Sequence, residues 1–415
     1  MSITVGNKQQ IGRTGQVGQV GQTQTTQVGK APETVLHAVA QQAKDAPLTK
    51  APGQTLPALT QGALGALGLS HPTIQHDPAH QPVVGLRGDT SVTGPDYKVE
   101  IPLLKNTTVE GRKVEAGCIR FFEQNRAELV GLYRDQCQKA GNNFETDAAK
   151  SVFFARDEKG AYKVPEVGEA LQGIAKKHGL DLGKDRALVE NMFKATYNAE
   201  MHQVAHAMAK GAFEEHLKAL PKGSQVLVTS GGCASGKSYA IEKGLSSEFT
   251  KSFGAIYDAA GEQCATENEW VKKTCEKYGH NPVYVYVQGN MEVSFKRSVE
   301  RAVEKGRAVD VLPFANSYVD GAKNFAAFLD RNPGVQYLLI DNSGGAPREM
   351  KREELKQYGA SQAAVKGLMG QLQSFSLADV SEKSRQAFVQ KHGEKLDVML
   401  EAIKTGASKL VTAGS

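Results

Sequence analysis

The sequence predicts an α/β fold, with a parallel sheet core flanked by helical regions and a disordered N-terminal leader ahead of them. Three observations predict it. Four short segments rich in β-branched, aliphatic and aromatic residues alternate with helical stretches between about residues 224 and 341, the pattern of a parallel sheet covered on both faces. A glycine-rich loop joins the first of those segments to a helix start. The first 96 residues share none of this patterning.

The leader comes first in the chain. No Phe, Tyr or Trp precedes Tyr97, and no acidic residue precedes Glu33. A short GQV repeat, Gly15-Gln16-Val17-Gly18-Gln19-Val20-Gly21-Gln22, runs on into a Gln/Thr tract. Such a segment buries too little apolar surface to offset its ordering entropy, so residues 1–96 are expected to be disordered. Two readings fit it: a flexible tail, or a bacterial type III secretion signal, whose polar, acid-poor composition with an early aliphatic residue (Ile3) it resembles. Weakly apolar stretches at residues 34–40 and 63–67 would then order on a partner such as a secretion chaperone.

The whole chain of 415 residues has an ordinary composition, and its net charge of +5 is spread along it. That balance points to neither nucleic acid nor membrane. No apolar run approaches the roughly 20 residues that cross a bilayer, and the start lacks the basic cap and apolar block of a Sec-type signal peptide. Cys118, Cys137, Cys233, Cys264 and Cys275 are odd in number and contain no CxxC pair. A disulfide framework and a zinc site are therefore not expected, and a reducing final compartment fits.

Residues 97–180 take on helical periodicity, with Ile119, Phe121, Phe122, Leu129, Leu132 and Tyr133 at spacings of three and four. The stretch Arg186 to Leu220 continues it, placing Leu188, Met192, Ala195, Met201, Val204, Met208 and Phe213 on one broad face. The core, residues 181–350, then carries strands at Ser224–Ser230, at Gly254–Tyr257 ending in Asp258, at Val283–Val287, and at Val335–Ile340 ending in Asp341. Residues 351–415 return to helix, including Val380 to Thr405.

Gly231-Gly232-Cys233-Ala234-Ser235-Gly236-Lys237-Ser238 satisfies GxxxxGK[ST] between a strand and a helix, the context that a phosphate-binding loop requires. The core is thus expected to be of the P-loop NTPase type. Glycines let the backbone curl so that successive N–H groups point at phosphate oxygens at a helix N-terminus. Lys237 would supply the charge for the β- and γ-phosphates of ATP, and the Ser238 hydroxyl would reach Mg²⁺. The alternative is a glycine turn that holds no nucleotide. Cys233 lies inside the loop, where a helix N-terminus would lower its pKa and make it oxidisable.

Asp258 ends the strand after the loop's helix, twenty-one residues past Lys237. Carboxylates at strand C-termini of open α/β sheets face the ligand crevice, and one placed there can take the proton of an attacking hydroxyl during in-line phosphoryl transfer. A Mg²⁺-organising or purely structural aspartate is the competing reading. Ser294 to Arg307 would put Arg297 and Arg301 on one helix face, with Arg307 in the following turn. Arginines brought over phosphates stabilise the charge of the transferring group; alternation with Glu300 and Glu304 also suits a solvated charged helix.

These features together resemble the zeta-toxin family of kinases, which lies close to polynucleotide kinases and chloramphenicol phosphotransferases. The resemblance covers about residues 180–350 and rests on the glycine loop, Asp258, the strand Val283–Val287, the arginine-bearing segment and Ile340-Asp341-Asn342-Ser343. It implies Lys237 and Ser238 as phosphate and Mg²⁺ ligands, Asp258 as general base, and Arg301 and Arg307 as lid arginines. Asp341-Asn342-Ser343 would belong to a terminal-strand motif, although Asp341 also fits a Walker-B pattern with a Mg²⁺ role through water. The chain departs from the family in having Gly-Cys-Ala where proline-glycine is common in the loop. No familiar substrate motif follows Asp258 around Glu262, Glu267, Glu269 and Trp270. A leader plus helical region ahead of the core looks more like secreted effectors with a zeta-type kinase domain, one group of which phosphorylates NAD on the adenosine ribose.

The expected activity is therefore ATP- and Mg²⁺-dependent transfer of a γ-phosphate to a hydroxyl of a nucleotide-type metabolite, NAD-like or a UDP-N-acetyl sugar, by a toxin or secreted effector. The expected location is the host cytoplasm after type III secretion, or otherwise the bacterial cytoplasm. A polynucleotide 5′-kinase and a non-catalytic nucleotide-binding effector that engages a host protein are the alternatives. Lys272, Lys273 and Lys277 alternate with Glu262, Glu267, Glu269 and Glu276, which leaves no clean basic stripe for nucleic acid. His202 and His206 stand at i, i+4 on a helix with no acid or third ligand expected nearby, so they read as a packed or exposed pair. Trp270 reads as core, or as a platform for a substrate base.

Overall fold

The computed structural model describes residues 101–409, apart from 102, 105–106, 245–251, 260, 262, 308–310, 345, 356–357 and 359–361. The leader, residues 1–96, lies outside the described residues.

The elements run α1 (Val109–Lys139), β1 (Asn143–Phe144), α2 (Thr146–Ala149), α3 (Pro165–Lys177), α4 (Arg186–Thr196) and α5 (Asn198–Ala219). Next come β2 (Gln225–Gly231), α6 (Lys237–Gly244), β3 (Ala255–Asp258), α7 (Cys264–Tyr278), β4 (Asn281–Gly289) and α8 (Met291–Lys305). They are followed by α9 (Val311–Val319), α10 (Gly321–Arg331), β5 (Gln336–Asn342) and β6 (Arg348–Glu349). The last four are α11 (Arg352–Leu355), α12 (Gln362–Ser374), α13 (Glu382–His392) and α14 (Leu396–Lys409).

The fold is α/β around one six-stranded sheet of order β1-β3-β2-β4-β5-β6. The four expected strands are present and parallel, with β2 between β3 and β4 (Thr229 opposite Asp258, Gly231 opposite Val287). Alternation within β4 shows why they form a central sheet. Val283, Val285 and Val287 pack on one face with Leu227, Leu338, Ile340 and Ala240. Tyr284 packs on the other with Phe328, and Tyr286 with Phe325. Both faces are thereby removed from water, which parallel strands require.

Two strands were not expected from the sequence. At one edge β6 pairs antiparallel with β5, so the sheet is mostly rather than wholly parallel. At the other edge β1, contributed by the helical region before the core, pairs parallel with β3 (Phe144 opposite Tyr257). Gly141 (φ 86°) and Asn142 (φ 60°) turn the chain out of α1 into β1, conformations that glycine and asparagine tolerate best.

The helical stretches also divide more finely than periodicity predicts. Arg186 to Leu220 breaks at Tyr197 into α4 and α5. Leu188, Met192 and Ala195 then pack with α8, α9 and the C-terminal helices, while Met201, Val204, Met208 and Phe213 pack with α1 and the sheet. Val380 to Thr405 breaks at Gly393 (φ 69°), between α13 and α14. All five cysteines are free thiols. Among the described residues no helix is long and apolar enough to cross a membrane.

Candidate functional site

The C-terminal ends of β1, β3, β2 and β4 converge on the loop Gly231–Ser238, which leads into α6. The backbone of this loop is curled and held from three sides. Gly231 (φ 143°) passes so close to β4 that a Cβ there would lie 2.3 Å from the Val287 carbonyl oxygen. Gly236 (φ 83°) leaves no room for a side chain beside Asn342, whose Nδ2 would be 2.4 Å from a Cβ. Ala234 adopts φ 54° without being glycine, a conformation that persists only where surroundings enforce it.

Those surroundings are hydrogen bonds. The Cys233 N–H donates to Ser317 Oγ at 2.9 Å, and the Tyr318 hydroxyl donates to the Cys233 carbonyl at 2.9 Å, both from α9. The Ser235 N–H donates to the Gly232 carbonyl at 3.1 Å, closing the turn. From β5, Asn342 Nδ2 donates to the Ser235 carbonyl at 2.8 Å. The Ser235 hydroxyl is buried within the loop and makes no hydrogen bond. A buried, unpartnered hydroxyl is uncommon in folded proteins and marks a place where a polar group from outside would be accommodated.

Lys237 opens α6 and reaches across the mouth of the loop, its Nζ 3.6 Å from Asp258 Oδ1. The same oxygen accepts a hydrogen bond from Thr229 Oγ1 at 2.9 Å. Ser238 is exposed on the first turn of α6. The pair Lys237 and Asp258 is therefore brought together as the spacing predicts, and both side chains are largely covered.

Of the two lid arginines expected from the sequence, Arg307 joins this charge cluster. Its Nη2 lies 3.1 Å from Glu145 Oε1 and its Nη1 lies 3.7 Å from Asp147 Oδ2. Among the described residues, no hydrogen bond or ion pair joins Arg301 to the loop. The residue at the loop is instead Arg297, one turn earlier on α8, whose Nη1 is 3.8 Å from the position of a Cβ on Gly236. Helical spacing identifies a face without fixing which turn of it reaches a target, and here the loop meets the earlier turn.

Glu145 and Asp147 were missed. They follow directly on β1, a two-residue strand too short to give a periodic signal. Burial raises the pKa of Glu145, Arg307 and Lys237 oppose that, and the carboxylates of Asp258 and Asp147 add to it. Glu145 thus lies within electrostatic reach of the other four charged groups. Asp147 is held low, first by Lys150 and then by Arg307.

Asp341 does not face the loop mouth. Its Oδ1 accepts from the Ser343 backbone and hydroxyl, and its Oδ2 meets Arg348 at 2.6 Å and the Tyr358 hydroxyl at 3.2 Å. Both oxygens are committed to the turn and strand that close the β6 edge. Asn342, the next residue, is the one that touches the loop.

The remaining candidates sort by contact. The loop walls desolvate the Cys233 sulfur and push its thiol pKa up, against the pull of Lys237, although part of the residue reaches solvent. Burial thus outweighs the lowering expected at a helix N-terminus. His206 does have an acid beside it: its Nε2 lies 3.2 Å from Glu267 Oε1, and Lys210 Nζ lies 3.0 Å from the same oxygen. No group of three potential metal ligands forms among the described residues. Trp270 packs against Phe213 and Tyr257 with Lys210 over its ring, half-buried against the core.

Chemically, the cluster offers a curled loop for an anion, an ammonium and guanidinium groups around it, and a carboxylate able to accept a proton beside them. No family model matches the sequence, and no curated protein resembles it at a significant level.

Proposed function

We propose that the chain is an ATP-dependent kinase that transfers a γ-phosphate to a hydroxyl of a nucleotide-type metabolite. The observation that carries this reading is the 3.6 Å approach of Lys237 to Asp258 at the mouth of a strained, glycine-rich loop. The residues fit Mg²⁺ and ATP. The loop has the sequence pattern that cradles phosphates, a buried Ser235 hydroxyl without a partner, and a lysine at the start of the following helix. Bound Mg-ATP would supply the transferable phosphoryl group.

Within that reading, backbone groups of Gly231–Ser238 would hold the phosphates and the Ser238 hydroxyl would help to hold Mg²⁺. Lys237 neutralises phosphate charge, and in turning to it releases Asp258 Oδ1. Thr229 keeps that carboxylate oriented while it accepts the proton of the acceptor hydroxyl. Arg297 and Arg307 face charge that builds on the transferring group. Asp341 braces the β6 edge, and Asn342 holds the loop.

The acceptor class follows from the resemblance to zeta-toxin kinases, with NAD-like molecules and UDP-N-acetyl sugars as the leading members. A small acceptor is favoured over a polynucleotide because Lys272 and Lys277, on the helix after Asp258, are spent on Glu276 and Glu214. The composition of the leader supports action as a secreted effector, with the leader as a chaperone-binding segment. The test is to incubate the protein with Mg-ATP and a cell metabolite extract and identify by mass spectrometry the species that gains one phosphate. A phosphorylated nucleotide-type metabolite made by the wild type and not by Asp258→Ala supports the proposal. Turnover that survives both Asp258→Ala and Lys237→Ala sinks it.

A further inference from the structure

The elements ahead of β2 have no evident role in the sequence, yet they reach the candidate site at two points. First, β1 extends the sheet beside β3, so that Glu145 leaves the sheet next to Asp258. The backbone of Glu145 is fixed there by one fully buried hydroxyl: Tyr133 on α1 donates to the Glu145 carbonyl at 2.6 Å and accepts from the Glu145 N–H at 3.2 Å. Second, Gly306, immediately before Arg307, packs against α4 so closely that a Cβ would lie 2.5 Å from Asn191 Cα and 2.6 Å from its carbonyl oxygen. Gly306 also has φ 68° and ends α8 in the left-handed conformation. Arg307 is thus anchored through its backbone by α4 and through its guanidinium by Glu145 and Asp147.

We propose that Glu145, which leaves β1 next to Asp258, is a positioning residue for phosphoryl transfer that holds the Arg307 guanidinium. The inference rests on the kinase reading above. A long side chain free at a helix end loses much rotamer entropy when it must reach one point. A carboxylate on a rigid strand end removes that cost in advance, and a displacement of about 1 Å in such a group is enough to cost on the order of a hundredfold in rate. A guanidinium has five donors, so contacts to Glu145 and Asp147 leave others for a phosphoryl oxygen.

The experiment compares binding of Mg-ADP alone with Mg-ADP plus aluminium fluoride, a mimic of the transferring phosphoryl group, and needs no acceptor. Wild type should bind the fluoride complex more tightly than Mg-ADP. Glu145→Gln should lose about tenfold or more of that gain, with Mg-ADP affinity unchanged. Arg307→Lys should lose a similar share, and the double variant no more than either single one. Glu145→Asp should recover part of the loss, and thermal unfolding should show each variant folded. A fluoride gain that is unchanged in Glu145→Gln, or losses that add in the double variant, overturns the inference. Wild type that binds Mg-ADP without gaining from fluoride overturns it as well while leaving nucleotide binding intact. Wild type that binds no Mg-ADP overturns the kinase reading and the inference together.

Discussion

Asn342 donates a hydrogen bond from Nδ2 to the carbonyl of Ser235 at 2.8 Å, tying the last residue of β5 to the middle of the glycine loop. The two are 107 residues apart in the chain and meet because β5 lies beside β4, which lies beside β2. Gly236 must be glycine for this contact to exist, since its missing Cβ is what lets the amide approach. The end of β5 therefore sets the shape of the loop, while its neighbour Asp341 looks away toward Arg348.

Removing that tether should loosen the loop without unfolding the sheet. Asn342→Ala is expected to weaken Mg-ATP binding by about 1 kcal/mol, the typical worth of one such hydrogen bond, and to leave the thermal midpoint nearly unchanged. Titration calorimetry against Mg-ATP, with a melting curve alongside, checks both parts.

The hydroxyl of Tyr133 satisfies both backbone groups of Glu145 from within the core. Tyr133→Phe leaves those groups short of a partner and should destabilise the protein by about 1–3 kcal/mol. Denaturant unfolding measures the loss, and proteolysis should cut the Gly141–Glu145 segment faster in the variant.

Acid should unfold the protein partly through Glu267. Burial alone would raise its pKa, but His206 and Lys210 beside it hold it down to about 2, against 4.5 for an ordinary glutamate. The folded state then binds fewer protons than the unfolded chain between those values. The stability that Glu267 contributes is complete above pH 4.5 and is lost as the pH falls toward 2. Glu267→Gln should flatten denaturant unfolding across that window. It should also cost about 3–5 kcal/mol at neutral pH, because Lys210 and His206 lose their buried partner.

The central strands were legible because each is an apolar run bounded by turn residues, and Asp258 because it ends one of them at a fixed distance from Lys237. The edges of the sheet were not. β1 and β6 are two residues each, and pairing with a neighbour, rather than any pattern of their own, makes them strands. For the same reason Glu145 and Asp147 gave no signal: they are ordinary acids placed at the site by tertiary pairing. The arginine segment was legible as a face only, so Arg301 was expected where Arg297 stands. The breaks at Tyr197 and Gly393 escaped because apolar spacing continues across them while the backbone there leaves helical geometry.

Everything proposed for the site turns on Lys237 and Asp258 acting on a phosphoryl group. The direct measurement is transfer of label from γ-labelled Mg-ATP into a cell metabolite extract, comparing wild type with Asp258→Ala and Lys237→Ala. Wild type should give a labelled metabolite, and each variant should lose on the order of a hundredfold or more of that transfer. A wild type that transfers no label, or variants that transfer it at the wild-type rate, would contradict the proposal.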